Sequence, residues 1–514
     1  MKKSIKYISL LLSFGAMITL TSCEKDFENI NNDPNNPTDV PNSYYLAGAQ
    51  RGLSDNTFDI WWGCNVGNQL AQYWSSNQYS SESRYQFRTP TTNTYFNLFY
   101  AGGNAGGRRT GADLPVGGLL ELNRIIDNCK SDPGGSSASG DANNQIAVAT
   151  MLRVWLLQNM TDTWGDLPYS EALDPEKSRA PKYDRQSDIY SGLISELNTA
   201  ISLVNTGASG PSGDMIYDGD MVLWKKFGNA LKMRIAMRIV DVNASLASTS
   251  LSEAIASGTF TSNADNALFQ YGEGVDAHPI YYNRFIDKRN DYAASNIMLD
   301  ILVAQNDPRL PCFYNKATST DTWVGEVYGL SEANAAATPN SSVSLPSDLM
   351  ISASLPGIFM DYAQVEFMLA EAAARGIAGV TDAQMHYNNG VTASIEFWTT
   401  LNSSPASGAD ITAYLAQASV DYASPGSGST YKEKIGKQKW IALYNQGVQG
   451  WTEWRRLDFG ILQLPADGVL EGTGIPMRMK YAVDEQTINS GNYSAAISNQ
   501  GPDVLSTKVW WDVN

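Results

Sequence analysis

Apolar positions recur at steps of three and four through much of this chain, the pattern of helices that bury one face. Ile189, Tyr190, Leu193, Ile194, Leu197, Ile201 and Val204 draw one such stripe, with Asp184 five residues ahead as a capping acid. Ile146 to Met160 is apolar nearly all round, which predicts a helix buried on most sides. Asp220 opens another helix, with Leu223, Trp224, Phe227, Leu231 and Ile235 inward and Lys225, Lys226, Lys232, Arg234 and Arg238 as its charged face. Beyond residue 360 come Tyr362, Val365, Leu369 and Ala372 up to Gly376, then Tyr387, Val391, Ile395 and Trp398. Trp440, Tyr444, Gly447, Trp451 and Trp454 complete the series, and their spacing marks them as core. Helices paired by short turns predict a mainly α fold, a helical-repeat scaffold over about 145–245 and 360–460, although the residues depart from the tetratricopeptide consensus.

Residues 42–130 and 245–350 read differently, as short apolar pieces among Gly, Asn, Ser and Pro. They predict long loops with short helices and minor β. Loops on a rigid scaffold carry recognition, so ligand-binding loops are expected mainly at 55–130 and 270–350 of a single body spanning 42–514.

The N-terminus has its own pattern. Lys2, Lys3 and Lys6 precede the apolar run Ile8 to Leu20, and Leu20-Thr21-Ser22-Cys23 closes it. That order is a signal peptide over 1–22. Its close resembles a bacterial lipobox, so Cys23 is expected to become the lipidated first residue of a tether over 23–41, rich in Asn, Asp and Pro. Two or three acyl chains hold such an anchor stably, each buried CH₂ adding about 0.8 kcal/mol.

Charge narrows the partners. Removing a leader with three lysines and no acid takes the formal charge from −17 to −20, which disfavours nucleic acid and anionic headgroups. Neutral sugars, peptides or a basic protein surface remain. Two histidines in 514 residues exclude a three-His zinc site and any HExxH helix; His386 falls on a helix, and His278, ahead of Pro279, is the better candidate for ligand contact. Cys64, Cys129 and Cys312 show no CxxC or metal spacing and allow one disulfide at most. No metal or other cofactor is expected.

Candidate chemistry is sparse. The run Ala101 to Gly111, AGGNAGGRRTG, lacks the Lys-Ser/Thr and leading strand of a phosphate loop and reads as a loop carrying Arg108 and Arg109. Carboxylate pairs such as Asp287 with Asp291 or Asp162 with Asp166 leave glycoside hydrolysis as the enzyme alternative. The aromatic cluster from Trp61 to Tyr85, interleaved with amides, points to a sugar or peptide: flat apolar faces stack while amides bond at the edges. Trp61, Trp62, Gln69, Tyr73, Trp74 and Tyr79 are its candidate ligand contacts. A core reading competes, since Trp62, Gln69 and Tyr73 share a helix face. Tyr281, Tyr282, Arg284, Arg289, Asn290 and Asp291 form a second polar-aromatic patch, from which Tyr282, Arg289 and Asp291 join the candidates with the solitary Trp323. No catalytic residue is expected.

Several stretches resemble the SusD/RagB family of outer-membrane lipoproteins, in its SusD-like branch. They are LTSCEKDFENINNDPNNPTDVP; WLLQNMTDTWGDLPYSEAL at Trp155 to Leu173; GDMVLWKKFGNALKMRIAMRI at Gly219 to Ile239, where Gly228 stands in place of the usual Ala; VEFMLAEAAARG; YNNGVTASIEFW; and KQKWIALYNQGVQGWTEWRRLDFGIL. Their order, more than any one motif, is specific. The resemblance implies tetratricopeptide-like helix pairs in a superhelix packed against an irregular ligand-binding half. It also implies an exterior-facing, lipid-anchored protein that captures oligosaccharide or peptide, without catalysis, for a SusC-like TonB-dependent β-barrel. A surface glycoside hydrolase and a helical-repeat adhesin are the alternatives.

Overall fold

Side-chain caps and glycine stops punctuate the helices close to where the stripes begin and end. The computed structural model describes residues 40–102, 117–174 and 177–513. Cys23, the signal segment, the tether up to residue 39, and Arg108 and Arg109 lie outside them. The main helices are α1 (Asn42–Phe58), α2 (Thr89–Ala101), α3 (Leu119–Ser131), α4 (Ala142–Trp164), α5 (Gln186–Leu203), α6 (Met221–Arg238) and α7 (Ala244–Ser257). Further on come α8 (Tyr362–Arg375), α9 (Ala383–Leu401), α10 (Tyr431–Ala442) and α11 (Gly447–Leu457). Asp141, Asp220 and Asp361 cap α4, α6 and α8 by accepting backbone N–H bonds, and Gly376, at φ 66°, ends α8. One expected cap is corrected. Asp184 instead accepts from the Tyr169 and Ser170 amides, and the Gln186 amide at the start of α5 is met by Asp166 at 2.8 Å.

The chain is mainly helical. In sequence order α3 packs on α4, α4 on α5, α5 on α6 and α6 on α7, and a second group joins α8 to α9 and α10, and α10 to α11. Among the described residues the β content is three short antiparallel ladders: β1 (Trp74–Ser76) with β5 (Tyr292–Ala294), β2 (Leu167–Pro168) with β3 (Tyr183–Asp184), and β4 (Ala267–Phe269) with β6 (Gly357–Met360). The start of α11 lies against a wide helical turn, Ile60–Asn68. A Cβ on Gly447 would stand 2.1 Å from the Gly67 carbonyl carbon, so this crossing requires glycine.

Helix α6 departs from its expected amphipathicity. Lys232, Arg234 and Arg238 are buried, because α6 is covered on the side expected to meet water. Arg238 pairs with Asp162 of α4 at 3.2 Å and Glu453 of α11 at 2.8 Å. Glu453 also meets Lys439 of α10 at 3.0 Å and Arg456 at 2.7 Å, and Arg456 continues to Glu371 of α8 at 2.6 Å. This buried ionic cluster joins five helices. Trp440 and Trp451 are fully buried and Trp454 nearly so, in keeping with their helical spacing.

Candidate functional site

Four of the expected ligand contacts lie in the core instead. Trp62, Gln69, Tyr73 and Trp74 are at most 2% exposed. Trp62 stacks between Tyr95 and Trp164, with centroids 5.4 and 5.2 Å away. Tyr73 donates its hydroxyl to the Trp440 carbonyl at 2.6 Å, Trp74 Nε1 donates to Tyr444 Oη at 2.7 Å, and Gln69 Nε2 donates to Ser76 Oγ at 2.8 Å. The physical reason is hydrogen-bond demand: an irregular segment buried against helices exposes backbone groups that no ladder satisfies, so amides and hydroxyls must. Gln72 answers both kinds of group, donating to the Gln463 carbonyl at 2.6 Å and accepting from the Gln463 amide at 2.9 Å. The aromatic and amide residues of this stretch thus form the seam between the loop-rich half and helices α10 and α11.

Four of the remaining candidates, Trp61, Tyr79, Arg289 and Asp291, sit together at the edge of that seam. Tyr79, in the left-handed region at φ 56°, is 51% exposed. The Arg289 guanidinium lies 4.9 Å from its ring centroid and the Arg88 guanidinium 5.8 Å, while Arg88 also lies 4.9 Å from the half-buried Trp61 ring. Glu82 and Asp291 fix the two arginines, the latter at 2.8 Å from Arg289. A row of stacked groups therefore runs Trp61, Arg88, Tyr79, Arg289. The hydrogen bond to Tyr79 and then Asp291 raise the Arg289 guanidinium, so it stays charged.

Beyond Arg289 the row opens into a cavity of about 220 Å³. Asn283, Arg284, Asn290, Lys316 and Thr318 bring polar groups to its wall, and Trp74, Tyr292, Val343 and Leu345 bring apolar ones. Asp291 and Asp348 also line it, engaged by Arg289 and by Asn315 Nδ2 at 3.0 Å. Ligand pockets of drug size measure roughly 300–1,000 Å³, so this one suits a single ring with the rest of a ligand on the rim. Tyr282 and Trp323 do not line the cavity; Trp323 is partly buried against the core. Sequence reasoning missed Arg88, Asn315, Lys316, Thr318 and Asp348. Cations isolated in polar loops of a strongly acidic chain were the available signal for the first and third.

The other candidate groups have structural partners. His278 is buried and accepts from the Ile280 amide at 3.1 Å, and His386 lies 2.6 Å from Glu366. Cys64, Cys129 and Cys312 are buried and free. Asp162 belongs to the ionic cluster and Asp166 starts α5, where burial pushes its carboxyl up to about 6. Among the described residues no group of three His, Cys, Asp or Glu converges as a metal site.

Glu326, beside β5, is 1% exposed. Burial pushes its carboxyl from 4.5 up to about 7, against a smaller lowering by Ser75. The folded state therefore holds a proton that the unfolded chain has released, so this stability is present below pH 4.5 and lost as pH rises to about 7. At about 1.4 kcal/mol per unit the loss is on the order of 3–4 kcal/mol. Glu326→Gln is expected to flatten that slope and raise stability at pH 8. Urea melts at pH 5 and pH 8 with unchanged slopes in the variant would overturn the assignment.

Comparison with known proteins places this geometry. The family model SusD-like_2, described as "Starch-binding associating with outer membrane", matches residues 34–482. No curated protein matches the chain. Among solved structures, one titled a chitin-binding protein is 27% identical, with TM-score 0.78 over 92% of this chain and 100% of that one. A SusD homolog from Bacteroides uniformis is 23% identical, with TM-score 0.75 over 92% and 99% of the two chains. A chitin-binding SusD homolog from Flavobacterium johnsoniae is 22% identical, with TM-score 0.74 over 91% and 99%. A family match across this much of the chain, on a mainly helical fold shared with those structures, leads to one conclusion: the chain belongs to the SusD-like family.

Proposed function

We propose that this protein is a non-catalytic surface lipoprotein, anchored through Cys23 on the exterior face of the outer membrane. It captures an oligosaccharide at the cavity and its stacked rim and delivers it to a SusC-like TonB-dependent β-barrel. The observation that carries the reading is the row from Trp61 through Tyr79 to Arg289, which ends in a cavity sized for one ring, largely apolar with polar groups on its wall. The family description and the chitin-binding titles of two relatives support a glycan; peptides are the competing ligand class. Binding without hydrolysis is supported by the family description, which names binding. Tyr282 and Trp323, in segments that carry the lining residues Asn283 and Thr318, are secondary contacts for a longer ligand.

A glycan and peptide array probed with the purified protein identifies the ligand class. Tyr79→Ala and Trp61→Ala should each weaken the ligand found there by roughly 30-fold, the loss of about 2 kcal/mol typical of a stacking contact. The melting temperature should stay within a degree or two for Tyr79→Ala, because the ring is exposed. Wild-type affinity in both variants would reduce the rim to a bystander. Cys23→Ala should release the protein from the outer membrane, and gentle detergent extraction should co-purify a large barrel. Recovery of the protein alone at full yield counts against delivery to a transporter.

A further inference from the structure

The charges on the cavity wall run against the charge of the chain. The protein carries a formal −17, yet Arg284, Arg289 and Lys316 line the cavity against only Asp291 and Asp348. Arg289 is held by Asp291, and Lys316 reaches the exposed Asp321 at 3.4 Å. Asp348 is occupied by Asn315. Arg284 makes no ion pair among the described residues; its guanidinium lies only against the Phe285 ring, 5.6 Å from the centroid. Asn283 and Asn290 line the same cavity.

Distance decides which charges a ligand feels. At physiological salt the Debye length is about 8 Å, so acids spread over the rest of the surface are screened, while groups on one small wall are not. A guanidinium lining a concave site, with no carboxylate of its own, favours a planar or tetrahedral oxyanion, which it meets with paired N–H donors. We infer that the ligand this cavity selects carries an acidic group, a carboxylate or sulfate on a saccharide, bound by Arg284 with Arg289 and Lys316 beside it. The inference rests on the cavity being the glycan site and departs from the neutral sugars favoured by net charge alone.

The test is calorimetric titration with five probes: an oligogalacturonide, its carboxyl-reduced counterpart, a chondroitin sulfate oligosaccharide, its desulfated form and a chitin oligomer. At 0.05 M salt at least one acidic probe should bind ten times or more tightly than its neutral partner. The uronate and sulfate arms separate the two sources of the charge. Arg284→Gln should cut that preference below threefold with the melting temperature unchanged, and 0.5 M salt should cut the preference of wild type as far. Lys316→Gln should reduce the preference by a smaller factor. Equal binding of acidic and neutral partners, tighter binding of a chitin oligomer than of any acidic probe, or a preference that survives Arg284→Gln overturns the inference and leaves the glycan site standing. Failure of every glycan, neutral or acidic, overturns the site itself.

Discussion

Glu453→Ala is expected to destabilise the fold by about 3–5 kcal/mol, the cost of leaving a buried charge without its partner. Glu453 is the hub of the cluster that links α4, α6, α8, α10 and α11, within hydrogen-bonding reach of Arg238, Lys439 and Arg456. Burial alone would raise its carboxyl, but Arg456, Lys439 and Arg238 together hold it well below the usual range. Burial likewise opposes Glu371, and Arg456 foremost pulls it down. Both groups are depressed in the folded state, so the stability they contribute is present above the unfolded value of 4.5 and lost as pH falls through the folded ones. The variant should therefore lose most at neutral pH and converge on wild type in acid. Denaturant titrations at pH 7 and at successively lower pH, down through the folded carboxyls' own range, measure both quantities. A loss under 1 kcal/mol at pH 7 would show that the cations find other partners.

A comparable loss, about 3–5 kcal/mol, is expected for Trp74→Ala. Trp74 is 1% exposed and stands on β1, opposite Ala294 of β5, with its indole near Tyr292 and its N–H bonded to Tyr444. Truncation opens a void, strands the Tyr444 hydroxyl from one partner and loosens the wall of the cavity. Ligand binding should weaken along with stability, whereas Tyr79→Ala should weaken binding alone. Trp74→Phe refills most of the volume and separates packing from the hydrogen bond. Native melting behaviour in Trp74→Ala would place this ring outside the core.

The helical scaffold was legible because its information is periodic. Stripes such as Ile189 to Leu197 and Trp440 to Trp454 state which face is buried, and caps such as Asp220 state where helices start. The site was half legible. Tyr79, Arg289 and Asp291 come together as the loops suggested, but Trp62 and Trp74 occupy a core that looks, in sequence, like a sugar platform. A buried irregular segment and a glycan surface call for the same residues, aromatics beside amides, because both must satisfy polar edges around flat apolar faces. Only long-range partners separate them. Tyr444 lies 370 residues from Trp74, and no local pattern announces that pairing. The buried charges of α6 were hidden for the same reason, since Asp162 and Glu453 come from distant stretches.

The β1–β5 ladder has an evolutionary corollary. It is tied on one side to the aromatic seam and on the other to the segments that line the cavity, through Ser295 N to Tyr73 O at 3.2 Å, Glu326 N to Ala294 O at 2.8 Å and Ala294 N to Ser344 O at 2.8 Å. Residues 283–291, 315–322 and 343–351 lie against this foundation and join it through backbone bonds, Asn77 N to Asp291 O at 3.0 Å and Ala294 N to Ser344 O at 2.8 Å. On the proposed reading, insertions and exchanges there change what is recognised while these backbone bonds persist, so these stretches behave as interchangeable cassettes. Diversification by wholesale loop replacement, with the ladder retained, is the route to new specificities that this architecture leaves open, and a chimera carrying a relative's three cassettes should fold with this protein's stability and that relative's appetite.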